Sequence, residues 1–492
     1  MALPNLLPSH VWAADIAPNA RLTMGFIGMG RQAQLLLGAF LGQNTQVVAV
    51  CDVDTTRREA AKRRVDEFYE QKTGAGTKSA GCVAYNDFRE LIARKDIDAV
   101  CIATPDHWHA IITLAALRAG KDVYCEKPLT HNIHEAITVM KAVTENKRVL
   151  QTGSMQRSMS EFRVACELVR NGVIGKIQSV ECQFGDPPNP CDLPGQPLEA
   201  GLDWDLWLGP APVRPYNSIL SPRGVHKHFP DWRKYSEFGG GMVTDWGAHH
   251  IDIAQWGLGT DASGPVEILP PGKPGDKRGA KLVYANGIAV THANGFGVDF
   301  VGSEGRVRVN RGKFIFERGG KVIATYKGKE DEDTNLNQQL RIARDEYLKD
   351  AKVKLYLSEN HVSDFLKCVQ SRKAPITNEQ IGGHSVICCH LMNLAYAHQP
   401  DLHTVADADH IDARVLEHGA AEHGHRIRVV EENHVWAALL HLVTDVQIDG
   451  DAAQGHHHAG RAAGVADDLV DAVAGRNQHV LHVVTCSIDV AC

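Results

Sequence analysis

Between Arg21 and about Leu150, short apolar runs alternate with stretches whose apolar residues recur at helical spacing. The runs are Met24-Gly25-Phe26-Ile27, Val47-Val48-Ala49-Val50-Cys51, Asp98–Ala103, Asp122–Cys125 and Arg148–Thr152. Between them Thr55–Glu70, Asn86–Arg94, His109–Ala119 and Ile133–Asn146 read as helices, the third closed by Gly120. A short run that is apolar at nearly every position suits a strand covered on both faces. Strands alternating with helices imply parallel pairing through right-handed crossovers. The predicted fold of residues 21–150 is therefore α/β, a doubly wound parallel sheet with functional groups at the carboxyl ends of its strands.

The pattern then changes. Ser160–Asn171 reads as a helix closed by Gly172, and Lys176–Phe184 alternates as a strand does. Residues 185–240 are rich in Pro, Gly and Trp, the composition of a long ordered loop that serves binding. From Lys281 to Tyr326, short strands are separated by Asn286-Gly287 and Arg311-Gly312, both hairpin signals. Helices return at Glu359–Ser371 and Gly382–Ala397. Residues 151–400 are thus expected to form a second, C-terminal α+β domain with an open mixed or antiparallel sheet.

The two ends differ in composition. Residues 1–20 end an apolar stretch in small residues, as an N-terminal arm or the remnant of an export signal would. The chain as written is expected in the cytoplasm, and exported if that remnant belongs to a longer signal. Residues 401–492 contain no Lys, Phe, Tyr, Pro or Met but hold 12 of the 26 His. An appended domain, a disordered acidic tail and a segment out of reading frame are the three readings, and so skewed a composition favours the last. His456-His457-His458 is assigned no function.

Composition bounds the rest. The length of 492 residues exceeds one ordinary domain. No apolar run approaches the roughly 20 residues needed to cross a bilayer. The twelve cysteines lack paired C-x-x-C spacing, so they are expected as reduced core residues. The net charge of −7 is local: residues 401–492 hold 15 acidic against 5 basic residues, and the rest of the chain is near neutral. Neither nucleic acid nor a membrane surface is indicated as a partner.

Three stretches carry candidate chemistry. The first apolar run ends in Gly28-Met29-Gly30-Arg31-Gln32-Ala33, a G-x-G-x-x-A turn. Such a turn brings a helix N-terminus and bare backbone up to a dinucleotide pyrophosphate. Asp52 ends the second run at roughly the 20-residue spacing where an acid meets the adenosine ribose, although it also suits a helix cap. Its charge selects NAD over NADP, with Arg57 and Arg58 expected on the exposed face of the next helix. Lys127 sits between a strand end and Pro128, and by itself equally suits a solvated turn. Asp245 and His249 stand four apart after three glycines, on one face if helical. There a carboxylate orients a histidine that moves a proton; a cap and a buried core histidine are the bland alternatives. Asp252 returns to that face, but a divalent metal among the three is not expected.

GMGRQA, CDVD, ATPDHWH, CEKP and GGGMVTDWGAHHIDIAQW, in this order, resemble the glucose–fructose oxidoreductase/inositol dehydrogenase (Gfo/Idh/MocA) family over about residues 21–399. The resemblance implies a Rossmann domain that binds NAD and a second domain whose sheet mediates homo-oligomers. It implies that Lys127, often followed by a cis bond, lies at the nicotinamide, that His249 is the general base, and that Asp245 assists. Cofactor contacts are expected at Gly28, Gly30, Arg31, Gln32, Asp52, Thr104, Pro105, His109, Glu126 and Lys127. Substrate contacts are expected at Gln156, Arg157, His228, Trp232, Arg233 and His250. The implied activity is hydride transfer between a nicotinamide and a secondary hydroxyl of a sugar, cyclitol or sugar derivative. Two alternatives stay open: an NAD-retaining glycosidase working by transient oxidation and elimination, and a non-catalytic NAD-binding protein.

Overall fold

The computed structural model describes residues 21–43, 45–73, 81–397 and 427–428. The expectations for residues 1–20 and for His456-His457-His458 lie outside the described residues, as does nearly all of the segment after Pro400.

The first sheet has six parallel strands in the order β3-β2-β1-β4-β5-β6. They are β1 Thr23–Ile27, β2 Gln46–Cys51, β3 Val83–Tyr85, β4 Ala99–Ile102, β5 Asp122–Cys125 and β6 Leu150–Thr152. The crossovers are α1 Arg31–Leu41, α2 Thr55–Thr73, α3 Phe88–Ile92, α4 Asp106–Arg118 and α5 Ile133–Asn146. Every residue of β4 and β5 is buried, as uninterrupted apolar runs require. Strand order reverses between β1 and β4, so the loops after these strands flank one crevice at the carboxyl edge. β3 is short and half-exposed and left no clear sequence pattern. Helix α4 starts at Asp106, earlier than expected, because Pro105 suits a helix head where an N–H is not needed.

The second sheet has nine strands in the order β14-β13-β12-β11-β7-β10-β9-β8-β15. They are β7 Ile177–Gln183, β8 Glu267–Leu269, β9 Lys281–Val283, β10 Ala289–Ala293, β11 Val298–Gly302, β12 Gly305–Asn310, β13 Lys313–Arg318, β14 Lys321–Tyr326 and β15 Ile427–Arg428. Only β7 and β10 pair in parallel, so the sheet is mixed. Asn286-Gly287 and Arg311-Gly312 form the expected hairpin turns, with φ +80° and +63° at the glycines. Helices α6 Ser160–Arg170 and α9 Gly247–Leu258 pack on this sheet. The stretch with the Asp245–His249 pair is not one helix: α8 Gly241–Asp245 ends at Trp246, where α9 begins.

Residues 185–240 build a small core of their own around Leu202, Trp204, Trp207, Leu208, Tyr216, Leu220 and Phe238. It includes α7 Trp204–Leu208, where Trp204 and Trp207 stack at 4.6 Å. This strap lies on the β2–α2 loop, with Thr55 N donating to Gly201 O at 2.9 Å and Asp203 N to Val53 O at 3.0 Å.

Three further helices follow among the described residues: α10 Leu336–Tyr347, α11 His361–Ser371 and α12 Glu379–Ala397. α10 went unread in the sequence because only Leu340 and Ala343 of its twelve residues are buried. α11 returns to the first sheet, where Phe365 meets Phe40 and Tyr124 edge-on at 6.1 and 5.8 Å. Phe365 is fully buried there. Phe365→Ala should therefore lower unfolding free energy by about 3–5 kcal/mol in urea titrations, and a loss below about 1 kcal/mol would contradict this packing.

Candidate active site

The crevice between β1 and β4 is bounded by the glycine turn. Gly28 has φ +80°, and a Cβ there would stand 2.8 Å from Thr104 N and 2.9 Å from Ala103 O. The protein's own backbone therefore demands glycine at 28. A Cβ at Gly30 would meet nothing within 4 Å, so the space before it is open. Gly30 caps α1 without a side-chain bond, which leaves the helix's first N–H groups directed at that space. Arg31 Nε and Thr104 Oγ1, on the two sides of the crevice, are buried without partners. Open space, a helix N-terminus and two unmatched donors fit the pyrophosphate of a dinucleotide.

Asp52 accepts from Met29 N at 2.6 Å and from Asp54 N at 2.8 Å, tying the second strand to the glycine turn. Burial pushes its pKa up, opposed by Arg57 and these two donors. Arg57 is not on an exposed helix face as expected. It is buried, 3.9 Å from Asp52 and from Asp54, with Nε on Gly224 O at 3.0 Å and Nη2 on Ser221 Oγ and Pro222 O. The two carboxylates and the strap's carbonyls draw it inward. Arg58 is half-buried and donates to Asp52 O and Asn86 Oδ1.

At the ends of β4 and β5, polar groups brace one another. His109 Nδ1 is 2.7 Å from Pro128 O and Nε2 is 2.9 Å from Thr104 O, so both ring nitrogens face carbonyls. Burial lowers its pKa to about 4. His107 and Trp108 turn to the strap, each with a ring nitrogen near Trp207 O. Pro105 heads α4 beside them. Glu126 accepts from Gln32 Nε2 at 2.9 Å and from Lys127 N at 3.2 Å. It thus joins the head of α1 to the lysine's backbone, and it makes no ion pair with the ammonium. The Lys127–Pro128 peptide is cis.

Lys127 Nζ donates to Asp245 Oδ1 and, at 3.0 Å, to Asp245 O. Arg233 Nε lies 3.3 Å from Asp245 Oδ2. Burial pushes Asp245's pKa up, but Lys127 and Arg233 overcome it and hold the carboxyl below its usual range. Asp245 therefore grips the two cations and makes no hydrogen bond to His249, the partner expected of it; the break at Trp246 separates them. His249 is buried, with Nδ1 unpartnered and the ring edge-on to Trp246 at 5.8 Å. Burial, then the charges of Lys127 and Arg311, keep its pKa well below 6.5, so it is neutral at neutral pH.

The expected substrate residues divide. Gln156 is buried and, with its amide turned to satisfy both neighbours, donates to His249 O at 3.1 Å and accepts from Arg311 Nε at 3.2 Å. Arg233 joins the Asp245 cluster, stacked over Trp232 at 4.6 Å. Arg157 is enclosed: it is 1% exposed, with bonds to Asp252 at 2.8 Å and Asp261 at 2.7 Å that leave it in the core. Asp252 also accepts from Ser385, so its oxygens serve that core. His250 Nδ1 faces Gln183 O, and Nε2 is buried without a partner. His228 is exposed and its carbonyl lies near the His226 ring. Sequence reading missed Arg311, on the β12–β13 turn, which stacks over Trp246 at 4.8 Å. Only its hairpin was readable; its approach to His249 spans more than sixty positions. The ten described cysteines are free, and nine are buried.

Residues 22–154 match the Gfo/Idh/MocA model described as an oxidoreductase family with an NAD-binding Rossmann fold. Residues 189–423 match that family's C-terminal alpha/beta domain. The chain is 24% identical over 377 residues to the myo-inositol 2-dehydrogenase of Thermotoga maritima, covering 73% of this chain and 92% of that one. It is 33% identical over 126 residues to the inositol 2-dehydrogenase of Rhodococcus jostii, covering 25% of this chain but only 34% of that enzyme. Its fold resembles a levoglucosan dehydrogenase solved with NADH and levoglucosan, at TM-score 0.50 and 20% identity, over 77% of this chain and 98% of that one. No helix among the described residues is long and apolar enough to cross a membrane.

The two glycines should separate stability from nucleotide binding. Gly28→Ala should lower the melting temperature, since both its φ and its neighbours exclude a methyl. Gly30→Ala should melt with the wild type yet bind NADH at least about tenfold more weakly by fluorescence titration. Unchanged NADH affinity in Gly30→Ala would refute the placement of the phosphates.

Proposed function

The chain belongs to the Gfo/Idh/MocA oxidoreductases, and from that premise we propose that it is an NAD-dependent dehydrogenase oxidising a secondary hydroxyl of a sugar, cyclitol or sugar derivative. The observation that carries the reading is a neutral, unpartnered His249 beside a lysine whose ammonium is fixed by Asp245. Bound NAD supplies the hydride acceptor. His249 takes the hydroxyl proton on a ring nitrogen; its neutral state makes it a base without prior deprotonation. Lys127 donates to the reacting oxygen and offsets the alkoxide charge that develops there. Asp245 keeps that ammonium in place, and its second oxygen holds Arg233 at the rim. Glu126, through Gln32 and the Lys127 amide, ties the nucleotide-side loop to the catalytic lysine.

The choice of NAD over NADP rests on Asp52, whose charge repels a 2′-phosphate. Arg57 and Arg58 are held by Asp52, Asp54, Asn86 and strap carbonyls, which leaves neither free to neutralise one.

The first test is mass spectrometry of denatured protein for carried nucleotide, followed by NADH titration and a screen of sugars and inositols for absorbance at the NADH band. NADH formation from a polyol supports the reading. Stoichiometric bound NAD(H) with glycoside cleavage and no net NADH would replace it by a redox-neutral glycosidase. Given a substrate, His249→Gln should lower kcat about 10²–10⁴-fold with NADH affinity retained. A base is active above its pKa and is lost as pH falls through it. With His249 held well below 6.5 by burial, Lys127 and Arg311, the acid limb of kcat/KM should lie well under pH 6.5. A limb at or above 6.5 would exclude His249 as that base.

A further inference from the structure

The cations around His249 are unequally matched. Lys127 and Arg233 share the carboxylate of Asp245. Arg311 has no carboxylate within ion-pair distance among the described residues, and its terminal nitrogens make no hydrogen bond there. Its orientation is nevertheless set. Gly312, at φ +63°, shapes the turn, and Gly312 N is anchored on Glu161 Oε1 at 2.9 Å. Trp246 supports one face of the guanidinium at 4.8 Å, and Gln156 accepts from Nε at 3.2 Å. The same glutamine amide holds the His249 carbonyl at 3.1 Å, so the arginine and the proposed base are placed by one side chain. Asp245 and Glu126 act on this guanidinium only from beyond ion-pair distance. A fork of donors held in place with no carboxylate in contact matches a planar or tetrahedral oxyanion, which accepts two bonds at once; a neutral hydroxyl leaves that contact unmade.

Resting on the dehydrogenase reading above, we propose that Arg311 is an anion subsite: the substrate is a sugar or cyclitol bearing a carboxylate or phosphate, which docks on the terminal nitrogens of Arg311 while its secondary hydroxyl meets His249 and Lys127. Arg311 thereby selects acidic over neutral polyols. Arg233, already engaged with Asp245, takes no such share.

The test uses the full chain saturated with NADH and matched pairs of probes: glucose and glucuronate, galactose and galacturonate, myo-inositol and myo-inositol 1-phosphate. Calorimetric titration should show the acidic member of at least one pair binding at least about tenfold more tightly than its neutral partner. A uronate preference assigns a carboxylate and an inositol phosphate preference a phosphate. R311Q should remove the preference and R311K restore part of it, with unchanged thermal melting as the control for folding. Equal affinity within every pair, or a preference that survives R311Q, overturns the subsite. Oxidation of neutral polyols without acid preference leaves the dehydrogenase reading intact and removes only this inference. An Arg311-dependent acid preference in protein that binds no NADH supports the subsite and removes the dehydrogenase reading instead.

Discussion

The ion pair between Lys127 and Asp245 is the constraint on which the site depends. Lys127 lies just past the end of β5 in the first sheet, and Asp245 ends α8, 118 residues later, on the second domain. A half-buried ammonium and carboxylate lose much hydration, and each answers part of the other's loss. Their contact therefore fixes where the second domain sits over the crevice. Removing either partner would leave the other charge poorly matched, a larger penalty than the pair's own net contribution to stability. The same contact keeps Asp245 away from His249 and leaves that ring without a carboxylate to charge it.

Burial then sorts the remaining groups by charge. Asp106, enclosed near Asp245, is pushed well above the usual carboxylate range, chiefly by desolvation. Glu126 is raised for the same reason, although Lys127 and Gln32 oppose the rise. His107 and His109 fall to about 3 and about 4 and serve as neutral braces between loops. Asp245, gripped by Lys127 and Arg233, keeps its ionised form favoured despite burial. A crowded site thus holds few charges, and those few are positioned by contact with both domains.

The sequence made the first sheet legible because its strands are buried on both faces and its turn is punctuated by glycines. Motif order singled out Lys127 and Asp245, which the structure brings into contact. Sequence reading failed where the decisive contact is distant or irregular. A four-residue interval suggested that Asp245 and His249 share a helix face, but Trp246 interrupts the helix, and tertiary partners claim the carboxylate. Arg157 follows a strand end and offers donors suited to the rim of a polyhydroxylated ring, but Asp252 and Asp261 hold it in the core. Arg57 reversed from surface to core by the same logic, with strap carbonyls more than 160 positions away completing its shell. No periodicity encodes such partners, nor the return of α11 to the first sheet.

Arg57 also explains how the far end of the crevice is built. It stands between Asp52, which holds the glycine turn, and the strap at Ser221 and Gly224. The strap therefore does at the Asp52 end what Asp245 does at the lysine end: each brings the second domain to a carboxyl edge of the first sheet through a largely buried cation, Arg57 donating to Ser221 Oγ, Pro222 O and Gly224 O, and Lys127 pairing with Asp245. A crevice clamped at two points resists rocking about either one. Small misplacements of reacting groups held by different domains are costly in rate. Two clamps at opposite ends of one cleft supply that alignment through charges already buried in the fold.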